Sequence, residues 1–169
     1  MKRLSPEHLN VTQAQPIQPA DAIDLAVLNT TPTLTVNVGV SLLNLFSQHY
    51  QSLYAIGIVE WRVMAVLAET PEIRLKTICE ALIADKGAVS RALGKLNDKG
   101  LITGKQDQWH TCRRYWHLTP GGQALHDVIY AESQRLNQAL LKDISHDQLS
   151  VVHQVLQQLQ TNMQIHGES

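Results

Sequence analysis

Lys86, Gly87, Ala88, Ser90, Arg91 and Lys95 crowd into one stretch, "DKGAVSRALGKLNDKGLI", residues 85 to 102. Arginine can present two parallel donors to the acceptor edge of a guanine, and serine can serve a base or a phosphate. Lysines supply point charges to phosphates, which hold register and make affinity salt-dependent. Glycine and alanine at 87 and 88 strip one helical turn of bulk, so that backbone can approach a large neighbouring molecule closely. Further on, Arg113 and Arg114 add a second cationic pair. Bond-making chemistry is missing from the pattern. Spacing brings no histidine or acid to Ser90. The chain has no glycine-rich phosphate loop, no Gly-x-Ser-x-Gly elbow and no His-Glu-x-x-His. An enzyme is therefore not expected.

Charge points the same way. The whole chain of 169 residues carries a net charge of −1. Arg74 to His117 holds nine Lys or Arg against four Asp or Glu, while the rest holds five against eleven. A basic lobe on an acidic body suits a polyanion partner. Taken alone, the same imbalance also fits ordinary solvated surface charge, so the elements that carry it must decide.

Those elements can be read from periodicity and caps. Residues 1–30, rich in Gln and Pro, read as a mobile N-terminal arm. Thr31-Pro32 is a helix start, and apolar residues recur at helical spacing as far as Tyr54 in two adjoining rows. A stripe that wide needs two surfaces to pack on, the chain's own core and a second subunit. Val59 to Glu69 forms the next helix, with Trp61, Met64 and Leu67 inward. Leu75 to Leu82 is a short helix and Ile83-Ala84-Asp85 a turn. Lys86 to Lys99 is a helix stopped by Gly100, with Lys99 offsetting the dipole at its end. Leu101 to Lys105 and Arg113 to Leu118 read as a β-hairpin around a polar loop. Thr119-Pro120 opens a helix through Leu140, and Ser145 to Gln148 is a Ser-x-x-Gln capping box for a last helix. Leu149, Val152, Leu156, Leu159 and Met163 then form a seam at coiled-coil spacing.

Helix, turn, helix and hairpin make a winged helix-turn-helix, whose second helix enters the major groove with its N-terminal residues at the base edges. Val89, Leu93 and Leu96 give that helix a buried face. Lys86, Gly87, Ser90, Arg91 and Lys95 fall on the opposite and flanking faces. Either Arg113 or Arg114 could enter the minor groove, and alternation along a strand leaves only one of them facing DNA.

Residues 59 to 122 resemble the winged helix-turn-helix of the MarR family of bacterial transcriptional regulators. "VEWRVMAVLAE" is similar to the family's second helix, and "LKTICEALIADKGAVSRALGKLNDKGLI" to its helix-turn-helix almost position for position. "HLTPGG" matches its LT-x-x-G step out of the wing. The flanking helices sit where the family keeps its dimerisation helices, and the first 30 residues fall outside the likeness. The implied fold is mostly α with a small β-hairpin wing. Residues 31–56 and 120–166 would form a helical dimerisation region and 57–119 the DNA-binding lobe. The implied function is a homodimeric repressor on a pseudo-palindromic operator of double-stranded DNA. Family members are commonly released by a small, often aromatic or phenolic, acid; others sense oxidants through cysteine, or zinc. The family's wing usually carries an Asp-x-Arg pair. Counted back from Leu118, those places hold His110 and Cys112, with the arginines at 113 and 114. Arg113 is then the residue expected in the minor groove, with His110 replacing the aspartate that would brace it.

His49, Tyr50, Trp61, Arg62, His126 and Tyr130 are the candidates for a small-molecule effector site, each with plain packing as its alternative. Cys79 reads as a small core residue. Cys112, beside two arginines, offers the alternative of a redox-sensing regulator. A winged helix that binds protein instead of DNA is a further alternative, which the basic lobe argues against. His110, Cys112 and His117 lack the second tight pair of a metal site, so no metal or cofactor is expected. No signal-like stretch follows Lys2 and Arg3, and no run approaches the ~18 apolar residues of a membrane helix. A cytoplasmic protein with no membrane partner is expected.

Overall fold

The computed structural model describes residues 30–106 and 114–167. The N-terminal arm, His110, Cys112 and Arg113 lie outside the described residues. The described chain divides into two compact units, residues 30–45 and residues 46–167.

Helix α1, Thr31–Tyr54, begins in the first unit. There Leu34, Val36, Val38, Val40, Leu43 and Leu45 are all exposed. The helix ends in the second unit at Ala55, whose φ of 53° is left-handed. A backbone turned that way cannot continue a right-handed helix.

The second unit continues with α2 (Ile58–Glu69), β1 (Ile73–Arg74), α3 (Leu75–Leu82) and α4 (Lys86–Asp98). Then come β2 (Ile102–Gln106), β3 (Arg114–Leu118), α5 (Pro120–Leu140) and α6 (His146–Gly167). Its core is the apolar side of α2, α3 and α4: Val63, Met64, Leu67, Ile78, Leu82, Val89, Leu93 and Leu96 are buried. Tyr50, Ile56, Ile102 and Ile129 close it from neighbouring elements. Among the helix pairs, α2 and α4 pack most extensively.

The caps form as their sequences require. Thr119 Oγ1 accepts from Gly122 N–H at 3.0 Å and donates to Gly100 O at 2.8 Å, so one hydroxyl starts α5 and ties it to the end of α4. A Cβ at Gly122 would collide with the Leu101 carbonyl, which explains the glycine in "LTPGG" by close backbone approach. Before α6, Gln148 N–H donates to Ser145 Oγ at 3.2 Å and Ser145 N–H to Gln148 Oε1 at 2.8 Å, a complete capping box.

One difference from expectation concerns the strands. The wing is a three-stranded antiparallel sheet in the order β1-β3-β2, with Ile73 and Gly104 both opposite Trp116. Two residues are too short a run to show alternation, and β1 exists only because β3 has a free edge beside it. In the seam of α6, Val152, Leu156 and Met163 are exposed while Leu149 and Leu159 are half-buried, and the neighbouring Val151 and Val155 are exposed as well. No single described helix is long and apolar enough to cross a membrane.

Candidate nucleic-acid interface

α4 starts where Asp85 caps it. The Asp85 carboxylate accepts from Ala88 N–H at 2.8 Å, and the Asp85 carbonyl from Val89 N–H at 3.1 Å. The turn before it is unusual. Ile83, the C-cap of α3, sits at φ 48° and ψ 52° with 85% of its surface exposed. A β-branched residue in left-handed backbone is strained, and glycine is the ordinary occupant of such a cap.

From this start the helix sorts its residues as the spacing requires. Val89, Ala92, Leu93 and Leu96 are buried, while Lys86, Ser90, Arg91 and Lys95 are exposed. Gly87 has a local role besides leaving room for a partner. A Cβ there would lie 3.0 Å from Asp85 Oδ2 and 3.2 Å from Arg91 Nη1. The space it leaves is where the Arg91 guanidinium folds back toward the first turn of α4.

Beside α4 runs a groove of about 780 Å³. Lys86, Ser90 and Gly94 of α4 form one wall, Arg74, Lys76 and Cys79 another, and Arg114 with Trp116 of β3 the third. The sequence pattern does not single out Arg74 and Lys76. Their charges count in the basic stretch, but only the fold sets them opposite Lys86. Arg114 reaches the groove by lying across the sheet, its guanidinium 5.3 Å from the centre of the Trp116 ring. Gly104, on the neighbouring strand, makes this possible, because a Cβ there would collide with the Arg114 side chain. Cys79 is half-buried, packed against the core and also lining the groove.

The two lysines at the far end of α4 differ in their surroundings. Lys95 Nζ lies 3.6 Å from Glu60 Oε1, with 68% of its side chain exposed. Lys99 does more than offset the helix dipole: its Nζ donates to Glu60 Oε2 and to the Ala55 carbonyl, each at 2.7 Å.

Five of the six effector-site candidates come together elsewhere in the second unit. Tyr50 lies 5.8 Å from Trp61 between ring centres, Trp61 stacks on His126 at 5.2 Å, and His126 stacks on Tyr130 at 5.8 Å. His49 stands edge-on to Tyr50 and its Nε2 donates to Glu132 Oε1 at 2.9 Å. The Ser133 hydroxyl donates to Ile129 O at 2.8 Å, so the Tyr50 hydroxyl, also at 2.8 Å, must donate to Ser133. Burial pushes the Tyr50 pKa above its usual value and the Glu132 charge adds to this, outweighing the Ser133 hydrogen bond. At the other end Asp127 is held below its usual value, first by the hydrogen bond from His126 and then by that from Gln123. Arg62 is apart from this row: its Nη2 donates to the Leu82 carbonyl at 2.7 Å and so closes the end of α3. None of the six lines the groove beside α4. Among the described residues no three His, Cys, Asp or Glu are grouped to hold a metal ion.

Residues 56–108, which span α2, β1, α3, α4 and β2, match the model of the MarR family. The fold is shared with solved members over most of its length. A MarR/EmrR family transcriptional regulator from Acinetobacter sp. ADP1 superposes with a TM-score of 0.74 at 25% identity, over 81% of this chain and 97% of that one. Over residues 56–108 the chain carries the MarR-family match, within a winged-helix fold similar to that of solved MarR-family regulators. PcaV from Streptomyces coelicolor, solved in complex with its natural ligand, superposes at 0.70 with 19% identity over 83% of this chain and 97% of that one. FabT from Streptococcus pneumoniae, solved in complex with DNA, superposes at 0.64 with 17% identity over 79% and 94%. No curated protein sequence matches. The MarR-type fold is that of a DNA-binding transcriptional regulator, with α3 and α4 as its helix-turn-helix and the three-stranded sheet as its wing.

Proposed function

We propose that this chain is a homodimeric, sequence-specific regulator of transcription, a repressor whose hold on double-stranded DNA is released by a small aromatic or phenolic acid. The observation that carries the DNA reading is the open end of α4. Lys86, Ser90 and Arg91 are exposed together at a capped helix start, next to a groove edged by Arg74, Lys76 and Arg114. Arg91 reads a base and Ser90 a base or phosphate, while Gly87 and Ala88 permit close approach. Lys86 and Lys95 hold phosphates, and Arg113 is the arginine assigned to the minor groove. FabT, solved in complex with DNA, is the relative that supports DNA as the partner.

Dimerisation rests on the exposed apolar rows of α1 and α6, which are too large to leave in water. We assign residues 31–56 and 120–166 to that role and 57–119 to DNA. Half-sites would then lie about one helical turn, roughly 34–36 Å, apart. The effector site is assigned to the aromatic row of His49, Tyr50, Trp61, His126 and Tyr130. PcaV, with its natural ligand, is the supporting relative. Action in the cytoplasm, where the DNA is, follows from the same reading.

The test is a duplex enriched from a random pool by the wild-type chain. Binding should be saturable and weaken steeply with salt. Arg91→Ala should bind it much more weakly. A chain that enriches no sequence over random DNA would end this reading. Light scattering of a ~19 kDa monomer at micromolar concentration would end the dimer.

A further inference from the structure

Glu60 stands in the first turn of α2, where the helix dipole favours an acid, yet it is only 5% exposed. A carboxylate withdrawn from water has to be compensated by partners. Both partners come from α4 and the residue that ends it. Lys99 Nζ sits 2.7 Å from Oε2 and Lys95 Nζ 3.6 Å from Oε1. The same Lys99 ammonium donates to the carbonyl of Ala55, the left-handed residue at which α1 ends. One lysine thus joins the end of α4, the start of α2 and the corner between α1 and α2.

We propose that Glu60 is a positioning residue for DNA recognition. Through Lys99 it clamps the C-terminal end of α4 to the α1–α2 corner and so sets the pose of the reading end. This rests on the DNA-binding function proposed above. The leverage is geometric. Thirteen helical residues span roughly 20 Å, so a tilt of ~5° at the clamped end displaces Lys86 by roughly 2 Å. Hydrogen bonds to base edges tolerate only about 0.5 Å. Lys99 has little access to a phosphate, with 36% of its side chain exposed and two of its three donors engaged. Lys95, more exposed and at the longer distance, stays available to DNA.

The experiment compares the full-length wild type with Glu60→Gln, Lys99→Met, the double variant and Lys99→Arg. Fluorescence anisotropy is read against KCl, on the wild-type-enriched duplex and on a scrambled duplex of the same composition. Glu60→Gln and Lys99→Met should each lose about tenfold on the enriched duplex. The double variant should lose little more, because the two remove one interaction. Lys99→Arg should return most of the loss. On the scrambled duplex the change should stay small, because non-specific binding counts charges and not pose. Lys99→Met should leave the slope of log K against log[KCl] unchanged. A slope reduced by about 0.9 would make Lys99 a phosphate contact and overturn the clamp. Should Glu60→Gln fail to fold by circular dichroism, Lys99→Met and Lys99→Arg decide alone. Folded variants that bind like wild type would overturn the clamp and leave the DNA-binding function standing. A wild type that enriches no duplex would remove both.

Discussion

The exposed face of α4 and the aromatic row running from Tyr50 to Tyr130 lie in the same compact unit but are built by opposite means. On α4, Lys86, Ser90 and Arg91 stand in water, each placed by its own helix position, while Lys95 reaches across to Glu60. In the aromatic row the side chains hold one another: Tyr50 on Ser133, Trp61 on His126, His126 on Tyr130 and Asp127. A surface made for a partner can be changed one residue at a time. A packed row cannot, because each ring is part of its neighbour's support. Changes in the first should therefore alter binding at constant stability. Changes in the second should alter stability first.

The largest effect should come from Trp61→Ala. It removes a buried ring from the middle of the row and should cost about 3–5 kcal/mol in urea unfolding. A loss below about 1 kcal/mol would mean that the rings do not support one another and would break the contrast. Arg91→Ala should cost about 1–3 kcal/mol of binding to the enriched duplex and leave the unfolding midpoint in place. Equal loss of stability would erase the distinction from the other side.

Ile83→Gly sharpens the comparison at the border of the two regimes. The side chain packs little and its backbone is left-handed. Glycine there should raise stability by up to about 1 kcal/mol, read as roughly 2–4 °C in Tm. A fall would show that the isoleucine makes contacts worth more than its strain. The smallest effect is on pH dependence. Asp127 has a folded pKa below its unfolded value, so its contribution is present above the unfolded value near 4 and lost as pH falls through the folded one. Asp127→Asn should flatten the acid limb of the stability profile. An unchanged limb would show that the His126 and Gln123 hydrogen bonds contribute nothing to it.

Much of this protein is local and so was legible in one dimension. The Thr119-Pro120 start, the Ser145–Gln148 box, the Gly100 stop and the buried face of α4 each depend on residues within a few positions of one another. Helical periodicity names the face a residue occupies, and caps need only their own turn. Periodicity does not name the partner across the gap. The β1 edge, Gly122 against Leu101, Gly104 beneath Arg114, Arg62 on Leu82, and Glu60 with Lys99 and Ala55 all join residues many positions apart. Their pairings exist only once the helices have packed. So the sequence by itself determined which surface is cationic and which elements carry it. Only the tertiary structure decided that Arg74, Lys76 and Arg114 share a groove with Lys86, and that Lys99 turns inward to a buried acid, because burial and long-range contact are properties of the folded chain.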